Sequence, residues 1–215
     1  MNRFKKFCLQ SGESTREKTT IYVGARELGY KVTSSKICPK DHIPIGDVQY
    51  CEVVTPNREA MFIDLYPEFL KDHFHRQIVL AWFGPNNEWM SRKRGFLKRA
   101  DQWKPDFKSR IVERSEIIEN NYYYWSEPVA FLQEWRYYIA EGKLITTGWY
   151  DGSDEDEAAP DLNINWPSDY NGAVDFGRLD DGKIALVEAH APCACGLDGE
   201  NQSDYCQWQY KDWES

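Results

Sequence analysis

Apolar residues fall in short runs along most of the chain, separated by turn formers. Gln77-Ile78-Val79-Leu80-Ala81-Trp82 is a compact apolar run of strand length, and Asp47 to Val54 alternates as a half-buried strand does. Thr19 to Val23 fits either a strand or the entry to a helix. Ala25 to Leu28, followed by Gly29, fits a helix ending at a glycine cap. Tyr66-Pro67-Glu68-Phe69-Leu70 puts a proline near the first turn of another helix. These signals predict an N-terminal α/β lobe over residues 1–85. Its boundary is set by the stacked turn formers Gly84-Pro85-Asn86-Asn87.

The remainder, 86–215, is strand-rich. Gly95-Phe96-Leu97-Lys98, Arg110-Ile111-Val112 and the aromatic run Tyr122 to Trp125 each read as a strand. Glu134 to Ala140 and Lys143 to Tyr150 flank a tight Glu141-Gly142 turn and predict a hairpin. A second hairpin pairs Ala173 to Leu179 with Lys183 to Glu188 across Asp180-Asp181-Gly182. The expected class is α+β: an α/β lobe, a subdomain at 86–125, a connection at 126–129 and a second antiparallel-sheet subdomain at 130–215.

Composition narrows the function classes. Of the 215 residues 41% are hydrophobic and 15% aromatic, enough apolar surface to bury a core. The formal charge of -9 argues against non-specific nucleic-acid binding, which draws its affinity from phosphate neutralisation. A local basic cluster at Arg92, Lys93, Arg94, Lys98 and Arg99 is the exception. No run approaches the roughly 18 apolar residues of a membrane helix, and the charged N-terminus has no apolar stretch after it. The six scattered cysteines fit free thiols, so a cytoplasmic protein is expected.

Chemistry gathers at the second hairpin. Its register sets Asp175 beside Glu188, and His190 follows Glu188 by two, on the same face of the strand. Two carboxylates and a third polar group suit a hard divalent ion such as Mg²⁺, although such residues also occur as ordinary surface acids. The acidic stretch Gly152 to Glu157 reads as a solvated loop. Lys98 can be a point charge for phosphates or part of a solvated basic stretch, and Arg136 can be a phosphate fork or a salt-bridge partner of Glu134 or Asp175. No Walker loop and no His-Glu-x-x-His is present.

In four places taken in order, the chain resembles the ATP-grasp superfamily, in its small clade named for two arginines and a lysine. Phe96-Leu97-Lys98 is similar to the strand whose lysine contacts ATP phosphates. Asp101 to Val112, through Lys104 and Phe107, resembles the phosphate-covering loop. Ser126-Glu127-Pro128-Val129 followed by Glu134-Trp135-Arg136 is similar to the adenine hinge and the arginine strand after it. Val174-Asp175 through Glu188-Ala189-His190, then Gly196-Leu197, is similar to the metal-binding strands and the turn beyond them. In two places the chain departs from the family: His190 stands where Asn is usual, and Lys108-Ser109-Arg110 stands where the loop often has a glycine.

The resemblance implies two subdomains clamping ATP. It assigns ATP contacts to Lys98, Lys104, Glu127, Val129, Glu134, Arg136 and Leu186, with Leu97 as a further wall of the adenine site. The catalytic charges would be Lys98 and Arg136, and the Mg²⁺ ligands Asp175, Glu188 and His190. The implied reaction is a carboxylate–amine ligation through an acyl-phosphate, with ATP converted to ADP and phosphate. Its substrates would be a small-molecule or peptide carboxylate and an amine. Phage-like and bacterial relatives are implied, and with them the host cytoplasm for a viral chain. Two other classes compete: a nucleotide-binding module without turnover, and an interaction domain stabilised by zinc on His190, Cys193, Cys195 and Cys206.

Overall fold

The computed structural model describes residues 6–12, 15–46, 50–51, 64–83, 94–100, 107–113, 119–192 and 201–214. Three sheets organise them. Sheet I is parallel, in the order β2-β1-β3, from β1 (Lys6–Gln10), β2 (Lys31–Ser35) and β3 (Ile43–Ile45). Sheet II is antiparallel, in the order β4-β7-β5-β6, from β4 (Ile78–Phe83), β5 (Gly95–Arg99), β6 (Arg110–Val112) and β7 (Asn121–Ser126). Sheet III is antiparallel, in the order β11-β10-β8-β9, from β8 (Gln133–Ala140), β9 (Lys143–Gly152), β10 (Gly172–Arg178) and β11 (Ile184–His190).

Helix α1 (Arg16–Glu27) resolves the strand-or-helix choice at Thr19 to Val23 in favour of helix. Thr15 caps it by accepting from the Lys18 N–H at 3.2 Å, Glu17 and Arg26 match the helix dipole, and Gly29 leaves it at φ 72°. Its buried face, Thr20, Ile21, Gly24 and Ala25, meets the C-terminal helix α2 (Gln202–Glu214). The helices cross so closely that a Cβ on Gly24 would lie 2.2 Å from the Gln202 carbonyl oxygen. Trp208 of α2 then donates to the Ile139 carbonyl at 2.8 Å, tying this layer to sheet III. The resulting core joins Phe7, Ile21 and Ile43 of the lobe to Tyr138 and Ala173 of sheet III through Tyr205 and Trp208. Each fully buried side chain of this kind stabilises by roughly 1.5–3 kcal/mol.

Several expectations change. The run at 78–83, placed in the N-terminal lobe from the sequence, is an edge strand of sheet II, paired with β7 from Ile78↔Ser126 to Phe83↔Asn121. Turn formers after a strand mark where it ends, not which sheet it joins. Tyr50 and Cys51, read as strand, are helical, and the rest of that segment lies outside the described residues. The helix begun by Pro67 is a short 3-10 helix, Glu68–His73. Both predicted hairpins form. Glu141 (φ 51°) and Gly142 (φ 65°) make the first turn with consecutive left-handed residues, the geometry that suits strand twist. Among the described residues, no helix is long and apolar enough to cross a membrane.

Candidate functional site

The strands of sheet III alternate between core and charge. Trp135, Tyr137, Val174, Phe176, Leu186 and Ala189 point to one side and bury there with Tyr66 and Leu70. Arg136 and Asp175, cross-strand partners on β8 and β10, point to the other. Arg136 Nε donates to Asp175 Oδ1 at 2.7 Å and its second guanidinium nitrogen to Oδ2 at 2.8 Å, a two-pronged pair with both residues buried. The ring of Tyr150 lies 4.3 Å from the Arg136 guanidinium carbon. Asp175 pairs across to Glu188 on β11. His190 Nε2 sits 3.0 Å from Asp175 Oδ2 and 3.2 Å from Glu188 Oε1.

A bulge shapes this edge. Asp175 pairs with Glu188 and Phe176 with Leu186, so Val187 has no opposite number. The extra residue lets Val187 and Glu188 both face the site, while Leu186 turns into the core. Arg76, just ahead of β4, holds the bulge in place. It donates to the Leu186 carbonyl at 2.5 Å and the Val187 carbonyl at 3.3 Å, with its guanidinium against the Tyr66 and Phe131 rings.

Sheet II supplies the facing wall. Phe96 and Lys98 alternate with the buried Leu97, so the first two face sheet III while Leu97 packs with Trp125 and Tyr123 behind. Between the sheets is a cavity of about 440 Å³. Phe96, Lys98 and Ile111 line it from sheet II, Val187 and Glu188 from β11, and Glu134 from β8, with Ser126 to Val129 along one rim. Lys98 spans the gap to form an ion pair with Glu188. Glu127 secures the rim by accepting from the Gln77 N–H at 2.9 Å and donating its own N–H to the Gln77 carbonyl at 3.1 Å.

The charges are tuned by this enclosure. Burial pushes the Lys98 ammonium down to about 8, against the opposing pull of Asp175. Burial, together with the negative charges of Asp175 and Asp151, pushes Glu134 up to about 7, although Arg136 and Arg76 resist. For Asp175 burial acts upward too, but hydrogen bonds from Arg136 and His190 outweigh it and hold the carboxyl below its ordinary value. Two acids on the same face thus shift in opposite directions, and the difference lies in their partners.

Of the residues singled out from the sequence, the structure brings Lys98, Glu127, Val129, Glu134 and Glu188 to one cavity, with Asp175, His190 and Arg136 next to it. Leu186 and Leu97, expected as walls, are core residues. Simple alternation fails at the bulge, where Val187 takes the place of Leu186, and Phe96 is the member of its strand that faces in. Lys104, Cys193, Cys195, Gly196 and Leu197 lie outside the described residues. Arg76 is the functional candidate that the sequence did not reveal. It stands between His75 and Gln77 with no motif around it, and its partners are backbone carbonyls 110 and 111 positions away.

Of the zinc set, Cys193 and Cys195 lie outside the described residues. Cys206 is fully buried under α1 and its thiol is pushed up to about 12 by burial, which disfavours the thiolate that zinc needs. Among the described residues, Asp175, Glu188 and His190 form a group of side chains that could hold a metal ion. The donor set is two carboxylate oxygens and one imidazole nitrogen. Spacings of 3.0 and 3.2 Å are close to the roughly 3 Å between neighbouring ligands of a small octahedral cation, so the residues fit a divalent ion. The acidic stretch at 152–157 is exposed over 152–156, as a solvated loop is, and at its end Glu157 accepts two hydrogen bonds from Arg178, at 2.6 and 2.8 Å.

Comparison with known proteins agrees with this architecture. The ATP-grasp ligase PsnB, solved with a minimal precursor, superposes with a TM-score of 0.58 at 9% identity, covering 98% of this chain and 99% of that one. The RimK-domain ATP-grasp protein of Sphaerobacter thermophilus DSM 20745 gives 0.59 at 13% identity, covering 95% and 98%. The D-cycloserine synthetase DcsG gives 0.57 at 12% identity, covering 95% and 98%. At such identities these likenesses speak for the fold alone. No curated protein sequence matches the chain. A family model does match, over residues 73–208, which is more than half of the chain and spans both clamp sheets. By that match the protein belongs to the ATP-grasp domain proteins, in the second family of the clade named for two arginines and a lysine.

Proposed function

We propose that the protein is an ATP-dependent ligase that joins a carboxylate to an amine through an acyl-phosphate. The observation that carries this reading is the convergence of a hinge, a lysine and an acid–imidazole cluster on one cavity between two antiparallel sheets. Phe96 and Ile111 on one wall and Val187 on the other offer apolar faces for a base, and the backbone of 126–129 offers the polar contacts that read its edge. Lys98 and Arg136 are the candidate catalytic charges, with Lys104 as a further phosphate contact.

Asp175, Glu188 and His190 would hold the divalent ion that accompanies ATP, and that ion would supply charge neutralisation at the phosphates. The rest is positioning. The substrate carboxylate attacks the γ-phosphorus, the bond from that phosphorus to ADP breaks, and an acyl-phosphate results. The amine then adds to the acyl carbon and phosphate leaves with its bonding pair, while the amine gives up a proton. Phosphoryl transfer of this kind needs alignment and charge stabilisation more than a protein nucleophile. PsnB has been captured with its precursor peptide, which makes peptides natural first acceptors to try.

The test is calorimetric titration with a non-hydrolysable ATP analogue, with and without Mg²⁺. A screen of amino acids and peptides for ADP release follows, with hydroxylamine present to trap the activated acyl group. Metal-dependent binding and a hydroxamate product support the ligase. Binding with no ADP from any acid would favour a nucleotide-binding module that acts through a partner. No binding at all would overturn the ATP reading.

A further inference from the structure

Resting on that reading of the site, we infer that its cation is a first-row transition ion, taken in preference to Mg²⁺, with His190 supplying the discriminating bond. The argument begins with charge. Mg²⁺ is held mainly by net negative charge on oxygen donors, and it gives up its waters reluctantly. Here each carboxylate already faces a cation. Asp175 is gripped on both oxygens by Arg136, and Glu188 is paired with Lys98. Two acids and two bases cancel, so the cluster offers a hard ion little net field.

Donor type then decides. The nitrogen of His190 is placed as a third ligand, 3.0 Å from Asp175 Oδ2 and 3.2 Å from Glu188 Oε1. Only 14% of its side chain is exposed, so its ring is confined to this position. Imidazole binds first-row transition ions far better than it binds Mg²⁺, and a set of two carboxylates and one imidazole suits them. Mn²⁺ is the weakest binder of that series, which makes it the most demanding probe.

The experiment uses the full chain labelled with ¹⁵N-histidine, Mn²⁺ and a non-hydrolysable ATP analogue. Pulsed electron paramagnetic resonance should show a directly bound ¹⁵N nucleus in the wild type and none in His190→Asn, which offers an amide oxygen instead. In a competition titration, displacing Mn²⁺ should take about tenfold more Mg²⁺ from the wild type than from His190→Asn. Nucleotide and Mn²⁺ bound together without histidine coupling in the wild type would overturn the inference and leave the ATP site standing. An unchanged displacement ratio in a folded variant would do the same. Failure to bind the nucleotide with either ion would overturn the ATP reading, and this inference with it.

Discussion

The two walls of the cavity solve different problems. Sheet III presents charge that is already paired: Arg136 with Asp175, and both acids near His190, on strands whose other face is a continuous aromatic and aliphatic core. Sheet II presents Phe96, Ile111 and one lysine that is three-quarters buried. The first wall is fixed by cross-strand ion pairs and resists change. The second can lose its one charge without leaving a buried counter-ion stranded in its own sheet. Substitutions that look alike on paper should therefore divide into those that unfold the protein and those that silence it.

Arg136→Ala sharpens this contrast most. It takes the two-pronged guanidinium from the fully buried Asp175 and leaves it the His190 imidazole, and breaking a buried pair from one side costs about 3–5 kcal/mol. Urea unfolding should show that loss. The double variant Arg136→Met with Asp175→Leu should recover most of it, because a well-packed apolar replacement removes both desolvation penalties. Equal losses in the single and double variants would show that the ion pair does not anchor sheet III.

Lys98→Met comes next and should show its effect chiefly in activity. Stability should fall less than in Arg136→Ala, since the desolvated ammonium is itself removed and Glu188, one-fifth exposed, keeps His190 beside it. ADP release should fall by roughly 10²–10³-fold, the usual loss when one preorganised transition-state charge is removed. A variant that lost stability as Arg136→Ala does would erase the distinction between the walls.

Both hairpins were legible because their signals are local: a two-residue turn, alternation on either side, and a register that follows from the turn. That register set Asp175 against Glu188, and the spacing of two put His190 on the same face. The β4 assignment was not legible, since the choice between sheet I and sheet II depends on β7, more than 40 residues later. The bulge at Val187 was hidden for a related reason. Nothing in Leu186-Val187-Glu188 marks an extra residue, and the guanidinium that satisfies its carbonyls comes from Arg76. Beyond local pattern, the family resemblance pointed to the candidate residues, and its expected walls differ at two of them: alternation with Lys98 turns Leu97 into the core, and the bulge turns Leu186 there.

Arg76→Lys tests the bulge itself. A lysine keeps the charge but cannot reach the Leu186 and Val187 carbonyls together, and hydrogen bonds from a charged donor are worth about 1.5–3 kcal/mol each. A loss in the lower part of that range is expected in urea unfolding. The variant should also need more divalent ion for nucleotide binding, because Glu188 directly follows the clamped residues. Loss of stability with unchanged metal dependence would confine Arg76 to packing.

The gentlest probe is pH, read through Glu134. Its carboxyl rises from an ordinary 4.5 to about 7 in the folded protein, so between those values the folded state binds the proton and the unfolded state does not. Stability from this group is therefore complete below about 4.5, is lost as pH rises through about 7, and is flat beyond. Glu134→Gln cannot ionise and should lack this slope, so the variant should gain on the wild type across that window. Its partial exposure keeps the gain below that from a fully buried acid. Urea unfolding from pH 4 to 8 measures the difference directly. Parallel curves for the two proteins would mean that Arg76 and Arg136 already neutralise Glu134, and that the strain on this wall rests on Asp175 alone.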